Sequence, residues 1–183
     1  MRILIAGVGN LFLGDDAFGV EVVQQLLLAK DPLPARVMDA GIRGVHLAYE
    51  LLEGYDTLVL VDAMAHGEVP GTVSIVERSW GEGEGDRTAR GAGDAHDLNP
   101  ESALALLERL GGRVERIFTV GCEPEELCER IGLSASVAAA VPHAVRAVRD
   151  LVARLSASAP AGVTNESTRE VTQWSADSSR PQS

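Results

Sequence analysis

The sequence predicts an α/β domain around a largely parallel sheet. Two observations favour this class. Short runs of apolar and β-branched residues alternate with longer amphipathic stretches along the chain, which is typical of strand–helix–strand units. Of the 183 residues, 45% are hydrophobic, so a single domain of this size can bury a core without disulfide bonds or structural metals.

Five segments have the length and composition of buried strands. The fourth follows the third after a turn rich in glycine and proline at 67–71, so we expect it to be an antiparallel partner of the third strand. This makes the predicted sheet mixed. The predicted strands are 2–6, 36–38, 57–61, 72–76 and 116–120.

Helices are predicted between these strands. Apolar residues at helical spacing indicate helices at 18–29 and 45–53. Asn99 is a suitable N-cap for a third helix, and Ser134 for a fourth whose apolar stripe continues to Leu155. We therefore expect one folded domain over residues 1–155.

Two segments lack the composition of a packed core. Residues 81–97 carry several glycines among charged residues, which favours a mobile surface loop. Residues 156–183 are rich in serine, threonine, alanine and proline, and we expect a disordered C-terminal tail.

Composition excludes several classes of protein. The formal net charge is −11 and only 4% of residues are aromatic, which argues against nucleic-acid binding. No run approaches the 18 or so apolar residues of a membrane span. With only Cys122 and Cys128, a disulfide framework is not expected. We expect a cytoplasmic monomer with both thiols reduced.

Acidic residues mark one edge of the predicted sheet. Asp62 ends the apolar run of the third strand, and Asp15 and Asp16 precede the first helix. If the first and third strands are neighbours, these carboxylates open onto the crevice where α/β sheets bind ligands. His96 would complete an oxygen, oxygen, nitrogen site for a divalent ion such as zinc or nickel. His66 is a competing ligand.

Other interpretations of these residues stay open. One of the two adjacent aspartates could serve only the helix dipole. Gly7 and Gly9 could belong to a degenerate nucleotide-binding turn, although Phe12 replaces its third glycine, or could let strand and helix pack closely. No GxSxG or HExxH motif is present.

The order of short motifs resembles that of the hydrogenase maturation endopeptidases, which trim a C-terminal extension from the large subunit of nickel-iron hydrogenases. The resemblance covers about residues 1–155. The motifs that carry it are Gly7-Val8-Gly9-Asn10, Leu13, Asp15-Asp16, Gly19-Val20, Asp39-Ala40-Gly41, Asp62-Ala63, Pro70-Gly71-Thr72, His96, and Gly121-Cys122-Glu123-Pro124-Glu125.

The resemblance implies a fold, a reaction and a site. The fold would have three layers, with a five-stranded sheet and helices on both faces. Asp16, Asp62 and His96 would bind a metal and carry the catalysis. The substrate would be a precursor with nickel already installed, so the metal could be the substrate's own nickel and the resting protein could hold none. Asp39, at the end of the second strand, and Gly41 are expected to orient the substrate, with a turn-forming role as the alternative for Asp39.

Two other functions remain as alternatives. A non-catalytic nickel-binding accessory protein for hydrogenase would use the same three ligands without cutting a bond. A degenerate nucleotide-binding module would bind nucleotide independently of His96.

Overall fold

The computed structural model describes residues 1–80, 100–158 and 172–174. The strands in this part of the chain are Ile3–Val8 (β1), Arg36–Gly41 (β2), Thr57–Ala63 (β3), Val73–Ser79 (β4), Arg116–Cys122 (β5) and Thr172–Trp174 (β6). They form one sheet in the order β2-β1-β3-β5-β4-β6. The first four strands in that order are parallel, whereas β4 is antiparallel to both of its neighbours.

Helices connect most of these strands. Within the described ranges they are Phe18–Leu28 (α1), Gly44–Leu51 (α2), Pro100–Arg109 (α3) and Ala135–Ala157 (α4). A short 3-10 helix, Gly14–Ala17, leads into α1. The side chain of Ser134 accepts the backbone N–H of Val137, so the N-cap predicted for α4 is present.

Each face of the sheet has its own apolar core, because successive residues of a strand point to opposite faces. On one face, Ile3 and Ile5 of β1 share a buried cluster with residues of α1 and α4. On the other face, Leu4 and Ala6 share a buried cluster with residues of α2 and α3. The helices therefore cover both faces, and the predicted three-layer α/β class is confirmed.

The predicted arrangement of the central strands is also correct. β1 lies between β2 and β3, so the carboxyl ends of β1 and β3 meet at one edge of the sheet. The expected mixed sheet of five strands is present, and the short strand β6 extends it along β4.

The partner predicted for the fourth strand is wrong. β4 pairs with β5 and not with β3, because β5 takes the second edge of β3 as a parallel partner. The connection 64–72 passes over the end of β5 to reach β4. It can do so because neighbouring strands lie only about 4.8 Å apart. Backbone hydrogen bonds hold this crossing: Met64 N–H donates to Cys122 O over 2.8 Å, and Gly71 N–H donates to Glu123 O over 2.8 Å.

The C-terminal segment departs from the prediction of a disordered tail over 156–183. α4 continues through Ala157, because the buried side chains of Val152 and Leu155 keep its last turns packed on the core. Thr172–Trp174 pair with β4. The other residues beyond 158, like the loop predicted over 81–97, lie outside the described residues. Of the helices described, none has the length and apolar character needed to span a bilayer.

Candidate active site

Glycines bring the loop after β1 close to the sheet. A Cβ atom on Gly9, where φ is +130°, would lie 1.8 Å from the backbone oxygen of Asp16. A Cβ on Gly19 would lie 2.1 Å from the carbonyl oxygen of Val61 in β3, and one on Gly7 would lie 2.2 Å from the carbonyl oxygen of Gly19. Only glycine permits this spacing, which supports the close-packing interpretation of Gly7 and Gly9.

This packing places Asp16 beside Asp62. Asp62 lies at the carboxyl end of β3, opposite Gly121 of β5, and both aspartates are partly buried. The carboxylate of Asp16 accepts the backbone N–H of Asn10, with an N···O distance of 2.6 Å. The two side chains are close enough for the charge of Asp16 to act on Asp62.

The ionisation of Asp62 is strongly perturbed. Burial, and after it the negative charge of Asp16, raises the pKa of Asp62 to about 7, against the smaller opposing effect of a hydrogen bond from the backbone of Ala63. A carboxyl group with this pKa exchanges a proton near neutral pH, as a general acid or base must. A cation placed between the two carboxylates would relieve their repulsion, so the pair fits a divalent metal.

Asp15 has a different role from its neighbour. Its side chain is fully buried and accepts the backbone N–H groups of Glu125, Glu126 and Ser134, at 2.9, 3.1 and 2.6 Å, and the Ser134 hydroxyl at 2.9 Å. Burial alone would raise the pKa of Asp15, but these hydrogen bonds, led by the backbone of Ser134, lower it below the usual value. Asp15 therefore fastens the 3-10 helix to the start of α4.

The third predicted ligand, His96, lies outside the described residues. The competing ligand His66 is exposed, and its backbone N–H donates to the carboxylate of Glu123 over 2.7 Å. In the ranges 1–80 and 100–158, no three histidine, cysteine or acidic side chains are grouped so that they could hold a metal. The described part of the site thus consists of the two carboxylates.

The predicted substrate-orienting residues lie at the end of β2, next to the same loop. The carbonyl oxygen of Gly41 accepts the backbone N–H of Gly9 over 3.1 Å. Gly41 has φ +49°, and a Cβ there would lie 3.5 Å from Oδ1 of Asp39. Asp39 is exposed, so its carboxylate is accessible to a molecule bound at this edge.

Sequence reasoning missed the structural role of Glu123. This residue is buried at the end of β5, and its carboxylate accepts backbone N–H groups of the turn at 66–68 that follows β3. Burial would raise its pKa, but these hydrogen bonds lower it. The signal available in the sequence was an acidic residue between a strand end and Pro124. Glu123 fixes the turn that leaves the strand carrying Asp62.

Cys122 is a buried packing residue at the end of β5. Burial, followed by the charges of Asp15 and Glu123, raises the pKa of the Cys122 thiol to about 12. A thiol with this pKa carries almost no thiolate at neutral pH, so Cys122 is not a nucleophile.

Comparisons with known proteins agree on one family. The family model described as hydrogenase maturation protease matches residues 20–151. The hydrogenase expression/formation protein HupD of Rhizobium leguminosarum bv. viciae is 30% identical over 157 residues, covering 82% of this chain and 74% of the relative. The hydrogenase 2 maturation protease of Escherichia coli strain K12 is 31% identical over 151 residues, covering 81% of this chain and 88% of the relative.

The fold is similar as well. The solved structure of the hydrogenase maturating endopeptidase HybD from E. coli superimposes with a TM-score of 0.67 at 27% sequence identity. The match covers 94% of this chain and 98% of that chain.

Proposed function

The chain belongs to the hydrogenase maturation protease family, and from this premise we propose that it removes the C-terminal extension of a nickel-iron hydrogenase large-subunit precursor after nickel insertion. It is a peptidase, as its relatives are. We place the reaction in the cytoplasm and assign it to the monomer. The free thiols of Cys122 and Cys128 suit a reducing compartment.

One observation carries the assignment of the site: the carboxyl group of Asp62, with a pKa of about 7, lies beside the carboxylate of Asp16 at the ligand-binding edge of the sheet. Structural ion pairs also perturb pKa values, but a pair of like charges at a strand end has no stabilising effect on the fold. The arrangement is instead suited to a substrate that brings positive charge.

Asp62 is the proposed general base. In its ionised form it accepts a proton from the water that attacks the scissile carbonyl carbon. In its neutral form it returns that proton to the nitrogen of the departing peptide, as the carbon–nitrogen bond breaks. In the free protein, burial and the charge of Asp16 keep the pKa of Asp62 near neutrality; the positive charge of the precursor's nickel would lower it, so Asp62 would be ionised and ready to accept the proton when the substrate binds.

Asp16, Asp62 and His96 are the proposed ligands of the metal. We propose that this metal is the nickel of the precursor, and thus part of the substrate, so that the resting protein needs no resident cofactor. When bound, the ion polarises the scissile carbonyl group. Aspartate oxygens with an imidazole nitrogen form a donor set that suits a borderline ion such as nickel.

The direct test uses the precursor in two forms. Nickel-loaded and nickel-free large-subunit precursors are incubated with the protein, and the products are weighed by intact-mass spectrometry. We expect loss of a C-terminal peptide from the nickel-loaded form alone. Equal cleavage of the nickel-free form would contradict nickel recognition, and binding of the nickel-loaded form without cleavage would favour the accessory-protein alternative.

Matched variants test the residues. Asp62→Asn and His96→Ala are expected to abolish cleavage. Asp150→Asn and His46→Ala, which change exposed residues on α4 and α2, are expected to retain it. Full activity in Asp62→Asn or His96→Ala would remove that residue from the mechanism.

A further inference from the structure

A groove lined by apolar and polar residues lies next to Asp16. It has a volume of about 420 Å³ and is lined by Asn10, Phe12, Leu13, Glu129, Arg130 and Ile131. Asn10 belongs to both features, because its backbone N–H donates to the Asp16 carboxylate. One wall of the groove is therefore in direct contact with the candidate active site through Asn10.

Backbone hydrogen bonds hold the two walls together. Arg130 N–H donates to the carbonyl oxygen of Phe12 over 3.0 Å, and Gly14 N–H donates to the carbonyl oxygen of Arg130 over 2.8 Å. Phe12 N–H donates to the side-chain oxygen of Asn10 over 3.0 Å. The groove is thus formed before any partner arrives, which lowers the entropic cost of binding.

The walls expose large apolar side chains. Phe12 is 67% exposed and Ile131 is 78% exposed. Leu11 and Leu127, on the same two segments, are 40% and 57% exposed. An apolar surface of this kind beside a candidate active site favours contact with a partner, because burial removes the apolar area from water.

The charge around the groove is negative. Glu129 forms no hydrogen bond or ion pair with any residue of the described ranges, whereas Arg130 is paired with Glu126 and so contributes little free positive charge. The complementary occupant is therefore an apolar segment that also carries a basic side chain. A second copy of this chain, with its net charge of −11, fits this surface poorly.

We infer that the groove binds the stretch of the hydrogenase precursor next to the scissile bond, with an apolar side chain on Phe12 and Ile131 and a basic side chain near Glu129. The inference rests on the proposed function, because it takes the scissile bond to lie at Asp16 and Asp62. It adds a surface that selects the substrate by sequence, in addition to the recognition of nickel.

The test measures binding and turnover separately. In an Asp62→Asn background, the dissociation constant for nickel-loaded precursor is measured by biolayer interferometry. We expect Phe12→Ser combined with Ile131→Ser to weaken binding about tenfold or more, because exposed apolar anchors that become buried dominate such interfaces. With Asp62 intact, KM should rise by a similar factor while kcat stays within twofold.

Leu28→Ser is the matched control. Leu28 is 85% exposed at the end of α1, and its substitution should change neither the dissociation constant nor KM. Glu129→Lys should weaken binding of the natural precursor. A precursor in which glutamate replaces the basic residues next to the cleavage site should restore the opposite charges. It should therefore bind the Glu129→Lys variant better than it binds the wild-type protein.

Failure of this inference is distinguishable from failure of the proposed function. If the protein binds the precursor through the groove but never cleaves it, the proposed reaction fails and the groove stands. A dissociation constant and a KM that both stay unchanged in the Phe12→Ser, Ile131→Ser variant overturn the groove. A dimer in sedimentation that this double variant dissociates, with precursor binding unchanged, would assign the surface to self-association and also overturn it.

Discussion

Replacing Asp62 by asparagine should stabilise the metal-free protein, and more at high pH than at low pH. In the folded protein the pKa of Asp62 is raised to about 7. In the unfolded chain it returns to about 3.9. Because the pKa of Asp62 is raised by folding, the folded state disfavours the ionised form of this group. The protein is therefore most stable at low pH, where Asp62 is neutral, and it loses this stability as the pH rises through the folded pKa of about 7.

The magnitude follows from these two pKa values. At pH 8.5 the full difference of roughly 3 pKa units corresponds to about 4 kcal/mol of lost stability. At pH 5, where the folded group is still neutral, the loss is only about 1 to 2 kcal/mol. The advantage of Asp62→Asn over the wild type should therefore grow by about 2 to 3 kcal/mol between pH 5 and pH 8.5.

Urea denaturation in buffer containing EDTA measures this difference. Unfolding is followed by circular dichroism for the wild type, Asp62→Asn and the surface control Asp150→Asn at both pH values. Asp150→Asn should parallel the wild type. An advantage of Asp62→Asn that is the same at pH 5 and pH 8.5 would place the pKa of Asp62 near its ordinary value and contradict its perturbation by burial and Asp16.

Three further predictions concern residues around the site. Asp15→Asn should lower the free energy of unfolding at pH 7 by about 3 kcal/mol in urea denaturation, because two or more charge-assisted hydrogen bonds are lost. This loss of stability should shrink as the pH falls through the lowered pKa of the native Asp15 carboxyl group. A loss that does not change with pH would contradict the lowered pKa. Gly9→Ala should abolish cleavage and lower the midpoint of thermal unfolding well below that of Gly132→Ala. Gly132 also has a positive φ, but a Cβ atom there would meet no atom within 4 Å. Equal midpoints would show that the loop can accommodate a Cβ atom at Gly9 without loss of stability. Iodoacetamide at pH 7.5 should modify exposed Cys128 and leave Cys122 untouched in the native protein, and rapid double modification by mass spectrometry would disprove the burial and raised pKa of Cys122.

Local sequence patterns were enough to predict the α/β class of the fold and the position of Asp62, whereas the three layers were implied by the family resemblance. The apolar run that ends at Asp62 indicates a buried strand, and a carboxylate at such an end has no packing role. The N-cap at Ser134 depends only on contacts within one turn of helix, so it too was predictable. These features are local, and the pattern of neighbouring residues determines them.

Contacts between distant residues were not predictable in the same way. The hydrogen bonds of Asp15 reach residues 110 to 119 positions away, so nothing in the surrounding sequence separates its structural role from the role of the partly buried Asp16. The insertion of β5 between β3 and β4 likewise depends on long-range pairing, whereas the short turn at 67–71 suggested a simple hairpin. The structural role of Glu123 also depends on a long-range contact, because its carboxylate binds the backbone of the turn after β3.

The pH dependence of precursor cleavage tests the central claim most directly. Values of kcat/KM for nickel-loaded precursor, measured from pH 5.5 to 8.5, report the ionisations of the free enzyme. We expect a rate that rises with pH to a plateau, with its midpoint near 7, the pKa of Asp62. We also expect Asp62→Asn to have lost cleavage at every pH. Cleavage by Asp62→Asn at the wild-type rate, with the same midpoint, would contradict the assignment of Asp62 as the general base.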